Sequence, residues 1–205
     1  MHISEGVLSA PVLVGGGMLA FAGTGVGLRK MDYDKVPEVA VFASAFFVAS
    51  LIHVPLGPSS VHLVLNGVMG LVLGWAAFPA ILIALLLQAV LFQFGGLTTL
   101  GVNTVTMGVP AIVCYWLFHK AALKASPSLS TFATFLCGAG GVFFGAVLVA
   151  LALVTTGEAF LPAAKLIVIA HMPVMVIEGI ITTICVRFIK RVKPEILEVA
   201  HGRSF

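Results

Sequence analysis

The chain has 205 residues, 60% of them hydrophobic and only 9% charged, with a formal net charge of +3. A water-soluble fold of that composition would lack the polar groups needed to cover its surface, so the bilayer must act as solvent. The charge is too small to argue for nucleic acid, and the basic residues gather at the ends of apolar runs, where they orient a membrane protein. The expected class is an all-α integral membrane protein. It forms one membrane domain over 1–205, with a distinct N-terminal segment over 1–8 and a cytoplasmic tail over 193–205.

The chain opens Met1-His2-Ile3-Ser4-Glu5-Gly6, which lacks the basic region of a signal peptide, so Met1 is expected to remain the terminus. Gly, Pro and charged residues then divide the sequence into seven runs near the ~20 residues a helix needs to cross the hydrocarbon core. These run approximately Ser9 to Leu28, Val36 to His53, Ser60 to Ala77, Pro79 to Phe94, Val102 to Leu123, Leu129 to Thr156, and Leu161 to Val192. Seven crossings put the termini on opposite sides. With the N-terminus outside, every Lys and Arg except Lys165 falls on the cytoplasmic side. His2, the loop from His53 to His62, the loop from Gly95 to Asn103, and Glu158 then share the outer face.

A histidine at position 2 of an uncleaved chain can chelate a metal. The α-amine of Met1 and the amide nitrogen of His2 close a five-membered ring, and that amide with His2 Nδ1 closes a six-membered one. These three nitrogens favour a plane, the preference of Ni(II) or Cu(II), and leave one corner for another donor. The α-amine must be free, because metal competes with protons there. A polar residue at a frayed terminus is the plainer alternative.

In the first run Gly16, Ala20 and Thr24 recur every four residues, and Gly23 and Gly27 repeat the spacing, a ridge for close helix packing inside the protein or against a partner. Along Gly57-Pro58-Ser59-Ser60-Val61-His62-Leu63, the Pro and serines read as a helix start with Ser59 or Ser60 as cap. That would place His62 in a first turn, where the helix dipole holds imidazole neutral, and Asn66 one turn further on the same face as an outer anchor. His53 ends the run before and reads as structural.

The glycines and threonines from Gly95 to Asn103 allow a lid or wall over an outer site, or a plain turn, and Asn103 is a candidate partner for the N-terminus. Cys114, Cys137 and Cys185 lie in apolar runs at no metal-binding spacing and read as small core residues. His171 and Glu178, seven residues apart on one helix face, need partners at that depth and serve either a metal pathway or a structural network. Pro173 is expected to kink the last helix near His171.

Four stretches together resemble the CbiM/NikM substrate-binding subunits of energy-coupling-factor importers for cobalt and nickel. They are Met1-His2-Ile3-Ser4-Glu5-Gly6, Ser60-Val61-His62-Leu63, Gly95 through Asn103, and His171-Met172-Pro173-Val174 followed by Glu178-Gly179. The resemblance implies a seven-helix fold in which Met1, His2 and His62 hold Ni2+ or Co2+ through four nitrogens. It also implies a membrane coupling (T) subunit and cytoplasmic ATPase subunits, with the small membrane component that some relatives fuse to their C-terminus supplied as a separate chain. No Gly-x-x-x-x-Gly-Lys-Ser/Thr loop is present, so ATP hydrolysis falls to those partners and the chain itself is not expected to be an enzyme. No His-Glu-x-x-His pair supports a metalloprotease. An ion-coupled secondary permease or channel, with His171 and Glu178 lining its path, is the rival reading.

Overall fold

The computed structural model describes residues 1–51, 53–56, 59–124 and 126–201. Long apolar runs without helix-breaking clusters give α1 (Ala10–Lys30), α5 (Leu100–Lys124) and α6 (Pro127–Thr156), each a candidate membrane span. The last apolar stretch, Glu158–Val192, is a fourth, divided into α7 (Leu161–Ala170) and α8 (Met172–Val192). Pro173 lies in the first turn of α8 and cannot donate to the carbonyl of Ile169, which takes the N–H of His171 instead. The break therefore falls at His171, as the sequence led us to expect.

Other expectations are corrected. Helix α2 (Val36–Ala49) ends short of His53, which opens strand β1 (His53–Leu56). Strand β2 (Ser59–His62) pairs with it antiparallel, His53 opposite His62 and Leu56 opposite Ser59. The expected helix over Ser60 to Ala77 begins only at Asn66, as α3 (Asn66–Leu73). Ser59 and Ser60 are thus strand residues rather than caps, and no helix dipole acts on His62. Gly57 and Pro58 lie outside the described residues.

The expected break at Phe78-Pro79 is displaced to Gly74, whose φ of +51° and ψ of −124° suit only glycine. A short 3-10 turn over Gly74–Ala76 leads into α4 (Ala77–Phe92). Pro79 sits in its first turn, where a missing N–H is harmless. Although Asn66–Phe92 is apolar and long enough to cross a membrane in one piece, the chain reverses at Gly74. Asn66 packs on Gly141 and Gly67 on Gly138, so α3 runs antiparallel to α6, while Phe78 and Pro79 lie against Gly23 and Gly27 near the end of α1.

The bundle thus has two ends. At one, Ser9 N–H donates to Thr156 Oγ1 (3.3 Å), and the end of α4 meets the end of α2. At the other, Lys30 lies over the Trp75 ring (5.0 Å), Lys193 pairs with Glu38 (4.0 Å), and Leu197 from the 3-10 segment Pro194–His201 is buried against α3. The glycine ridge of α1 is used internally. A methyl group on Gly16 would meet the Val102 backbone at 2.9 Å, and one on Gly27 would meet the Trp75 carbonyl at 2.6 Å. The opposite side of α1, with Val14, Met18 and Phe21, is exposed, as a lipid-facing surface must be.

Candidate metal centre

Residues 1–3 are not frayed. Met1 and Ile3 are fully buried and His2 is 5% exposed, inside the first-named end of the bundle. Three contacts hold them. Asn103, in the first turn of α5, accepts the Ile3 N–H at Oδ1 (2.9 Å) and donates from Nδ2 to the Ile3 carbonyl (3.1 Å). The Met1 side chain fills a slot over Gly145 of α6, where an added methyl would lie 2.4 Å from Met1 Cε. Glu5 accepts the Thr98 N–H (3.0 Å), tying the segment to the turn before α5, and those bonds hold its exposed carboxyl below the usual range.

That turn lies directly against the terminus. Gly95 adopts φ +74°, and a side chain there would press 2.8 Å from Asn103 Nδ2 and 3.5 Å from His2 Cδ2. The backbone can approach the terminus only because position 95 carries no Cβ.

The imidazoles are oriented from outside. His2 Nε2 donates to Gln88 Oε1 (2.8 Å), and Gln88 Nε2 is spent on Ser50 Oγ (2.6 Å) and the Phe47 carbonyl (2.9 Å), so the amide presents only its oxygen to His2. A proton on Nε2 leaves Nδ1 with a lone pair, the tautomer that closes a six-membered chelate. His62 Nδ1 donates to the Leu63 carbonyl (2.7 Å), which leaves Nε2 with its lone pair, and that atom lies against the α-nitrogen of Met1. The two rings stand 4.6 Å apart between centroids. Burial, partly offset by Glu178, pushes the α-amine well below its ordinary pKa, and burial with the nearby terminal charge and His2 does the same for His62. Both are therefore held in the neutral form that can donate to a metal.

Below this group Glu178 Oε1 accepts the N–H groups of Val64 (2.5 Å) and Leu65 (2.9 Å), so its expected need for partners is met by the segment that carries His62. Leu65 sits at φ +53° at the turn into α3. His171 Nδ1 donates to the Ile167 carbonyl (2.7 Å), while its Nε2 and Glu178 Oε2 are buried without a partner among the described residues. Asn66 does not reach His62 as expected. Its Nδ2 donates to the Gly141 carbonyl (3.5 Å), and its Oδ1 is buried without a partner among the described residues. Cys114 and Cys137 are free buried thiols packed beside α3, as a core role requires.

Among the described residues no three His, Cys, Asp or Glu side chains surround a common point. The chelate expected from the sequence takes two of its nitrogens from the backbone, the α-amine and the His2 amide. Gln88 and Ser50 were not anticipated from the sequence, although Gln88 stands out as a lone amide inside the apolar run Ile81 to Phe92.

A bundle with five helical stretches long and apolar enough to cross a membrane, among the described residues, is a multi-span membrane protein. The chain belongs to the CbiM family: the profile of the cobalt uptake substrate-specific transmembrane region matches residues 2–196. It is a cobalt/nickel transport membrane component and a multi-pass protein of the cell membrane. It is 43% identical over 209 residues to a Haemophilus influenzae protein assigned to metal transport, covering 100% of both chains. It is 30% identical over 215 residues to a cobalt transport protein CbiM of Sorangium cellulosum, covering 97% of this chain and 95% of that one. A fused nickel transport protein NikMN of Rhodobacter capsulatus is 40% identical over 119 residues, which is 53% of this chain and 33% of its own. The crystal structure of a transition metal transporter shares the fold with a TM-score of 0.74 and 24% identity, over 94% of this chain and 93% of that one.

Proposed function

We propose that this chain captures Ni2+ or Co2+ for an ATP-driven energy-coupling-factor importer, holding the ion through the Met1 α-amine, the His2 amide and Nδ1, and His62 Nε2. One observation carries the reading: the hydrogen bonds to Gln88 and Leu63 select the tautomers in which His2 Nδ1 and His62 Nε2 carry the lone pairs that this chelate requires, with His62 Nε2 already against the α-amine. The lone pairs available match the square of nitrogens preferred by Ni(II), and the ion is cargo rather than a resident cofactor.

The placement of Lys and Arg puts the N-terminus outside, so capture faces the exterior and release requires partners. A membrane coupling subunit, cytoplasmic ATPases and a separate small membrane component fill that role in our reading. Its support is the existence of relatives fused to further components, the Rhodobacter NikMN and a fused CbiMQ of Methanocorpusculum labreanum that is 28% identical over 96% of this chain.

Calorimetric titration of the purified protein with Ni(II) and Co(II) tests the chelate. His2→Ala, His62→Ala, and a protein extended by one residue before Met1 should each lose binding. Undiminished affinity in His2→Ala removes the proposal.

A second reading, a secondary permease, rests on His171 Nε2 at the start of α8 and Glu178 Oε2 and Thr182 Oγ1 along it, all buried without a partner among the described residues. Metal uptake by vesicles reconstituted with this chain and no ATPase would select it.

A further inference from the structure

We propose that the groove between the start of α6 and the last turns of α8 binds the phosphate head of an anionic glycerophospholipid. The groove encloses about 700 Å³ at the end of the bundle remote from Met1. Among the described residues three cations line it, Arg187, Lys190 and Arg191, and no carboxylate does. Arg187 and Arg191 are one turn apart on the same face of α8, where like charges repel. The ion pair between described residues is Lys193 with Glu38, so neither arginine is neutralised by the protein there. A bound anion relieves that repulsion.

The groove is also shaped for phosphate. Lys190 Nζ donates to the Ala122 carbonyl and to Ser130 Oγ (2.7 Å), which fixes the ammonium at the back. The guanidiniums are left free to bind phosphate oxygens in pairs. Pro127 opens α6, a helix of 30 residues whose N-cap Ser126 provides no side-chain cap, so the positive end of the helix dipole adds to the same field.

Depth decides between a lipid and a free ion. One candidate span begins at Pro127 and another ends at Val192, so the groove lies where hydrocarbon meets headgroups. Ile184 and Phe188, 61% and 63% exposed, continue it along α8 into the apolar zone, where an acyl chain would cover them. An inorganic phosphate has no use for those two side chains. Basic pockets between spans at this depth recognise anionic headgroups at about 1 kcal/mol per Lys or Arg.

The test is a native mass spectrometry titration of the full chain in neutral detergent with phosphatidylglycerol, phosphatidylcholine, or inorganic phosphate. Phosphatidylglycerol should be retained and phosphatidylcholine not. The double variant Arg187→Gln, Arg191→Gln should bind phosphatidylglycerol about 30-fold more weakly, which corresponds to about 2 kcal/mol. Both arginines are exposed, and thermal melting of the variant verifies its fold. A lysine pair at the same positions should recover most of the retention. Equal retention by the glutamine variant places the lipid elsewhere and overturns the proposal. Saturation by inorganic phosphate at the same concentrations overturns it in favour of an ion site.

Discussion

Replacing Asn103 by Leu separates the seating of the N-terminus from the donors themselves, because Asn103 touches residue 3 and none of the proposed ligand atoms. The side chain is 2% exposed and exchanges two hydrogen bonds with the Ile3 backbone, 2.9 Å to its N–H and 3.1 Å from its carbonyl. Leucine fills similar volume but leaves a buried N–H and a buried C=O without partners, at about 1–3 kcal/mol each. The terminus can escape part of that cost by leaving its slot, and doing so withdraws the α-amine and His2 from His62. A loss of about 2–4 kcal/mol in metal binding follows, about 30-fold to 1,000-fold in Kd. Calorimetry with Ni(II) measures it, with thermal melting as the control that the remaining bundle is intact. Nickel affinity within about threefold of the unmodified protein would refute the argument that Asn103 seats the chelate.

Four further outcomes follow from the same geometry. Gly145→Leu pushes into the space held by Met1 Cε and should abolish Ni(II) binding in calorimetry while leaving the protein extractable and folded. Glu178→Ala strips both acceptor bonds from Val64 and Leu65 and should cost about 2–4 kcal/mol, read as a lowered Tm; Glu178→Gln, which keeps an acceptor oxygen, should cost much less. The α-amine and His62 both have folded pKa values depressed below their ordinary 8.0 and 6.5. As pH falls through those values the unfolded chain takes up protons that the folded chain does not, so stability is present above them and declines below, which melting at a series of pH values would show. At pH 8 both groups are already neutral in the folded protein. Calorimetry in buffers of different ionisation heat should then count about one proton released per ion, that of the His2 amide. A count well above one would contradict the burial argument.

Much of the membrane architecture could be read from the sequence because it rests on long apolar runs. The segments α1, α5, α6 and the divided last stretch stand close to where hydropathy and Pro173 put them. The proposed N-terminal chelate needs no fold to be drawn, since its ring sizes depend on covalent structure alone. What could not be read lies between His53 and Ala77. There a Pro-Ser-Ser sequence resembles a helix start, while the pairing of His53 with His62 and of Val54 with Val61 forms a hairpin through contacts up to nine residues apart. The reversal at Gly74 escaped for a related reason: one glycine in an apolar run is compatible with a continuous helix, and only the docking of α3 on α6 and α4 on α1 makes the turn. Asn103 was identified as a partner of the terminus and fell within the expected fifth run, although the helix begins at Leu100, ahead of the expected Val102.

The correction at His62 bears directly on chemistry. Within a helix, the Leu63 carbonyl would accept an N–H four residues on, and the Val64 and Leu65 N–H groups would be committed to earlier carbonyls, leaving nothing nearby to choose a tautomer. Because residues 63–65 are non-helical, the Leu63 carbonyl is free to take the His62 Nδ1 proton, and the two N–H groups are free to bind Glu178. Irregular backbone at this depth is tolerated only where protein satisfies it, and here a carboxylate from α8 does so. The same departure from helical geometry that conceals this segment from hydropathy reading therefore turns His62 Nε2 towards the α-amine. A site placed in the first turn of a helix would have needed the dipole to keep its histidine neutral. This one uses burial and a fixed hydrogen bond, which also set the direction in which the lone pair points.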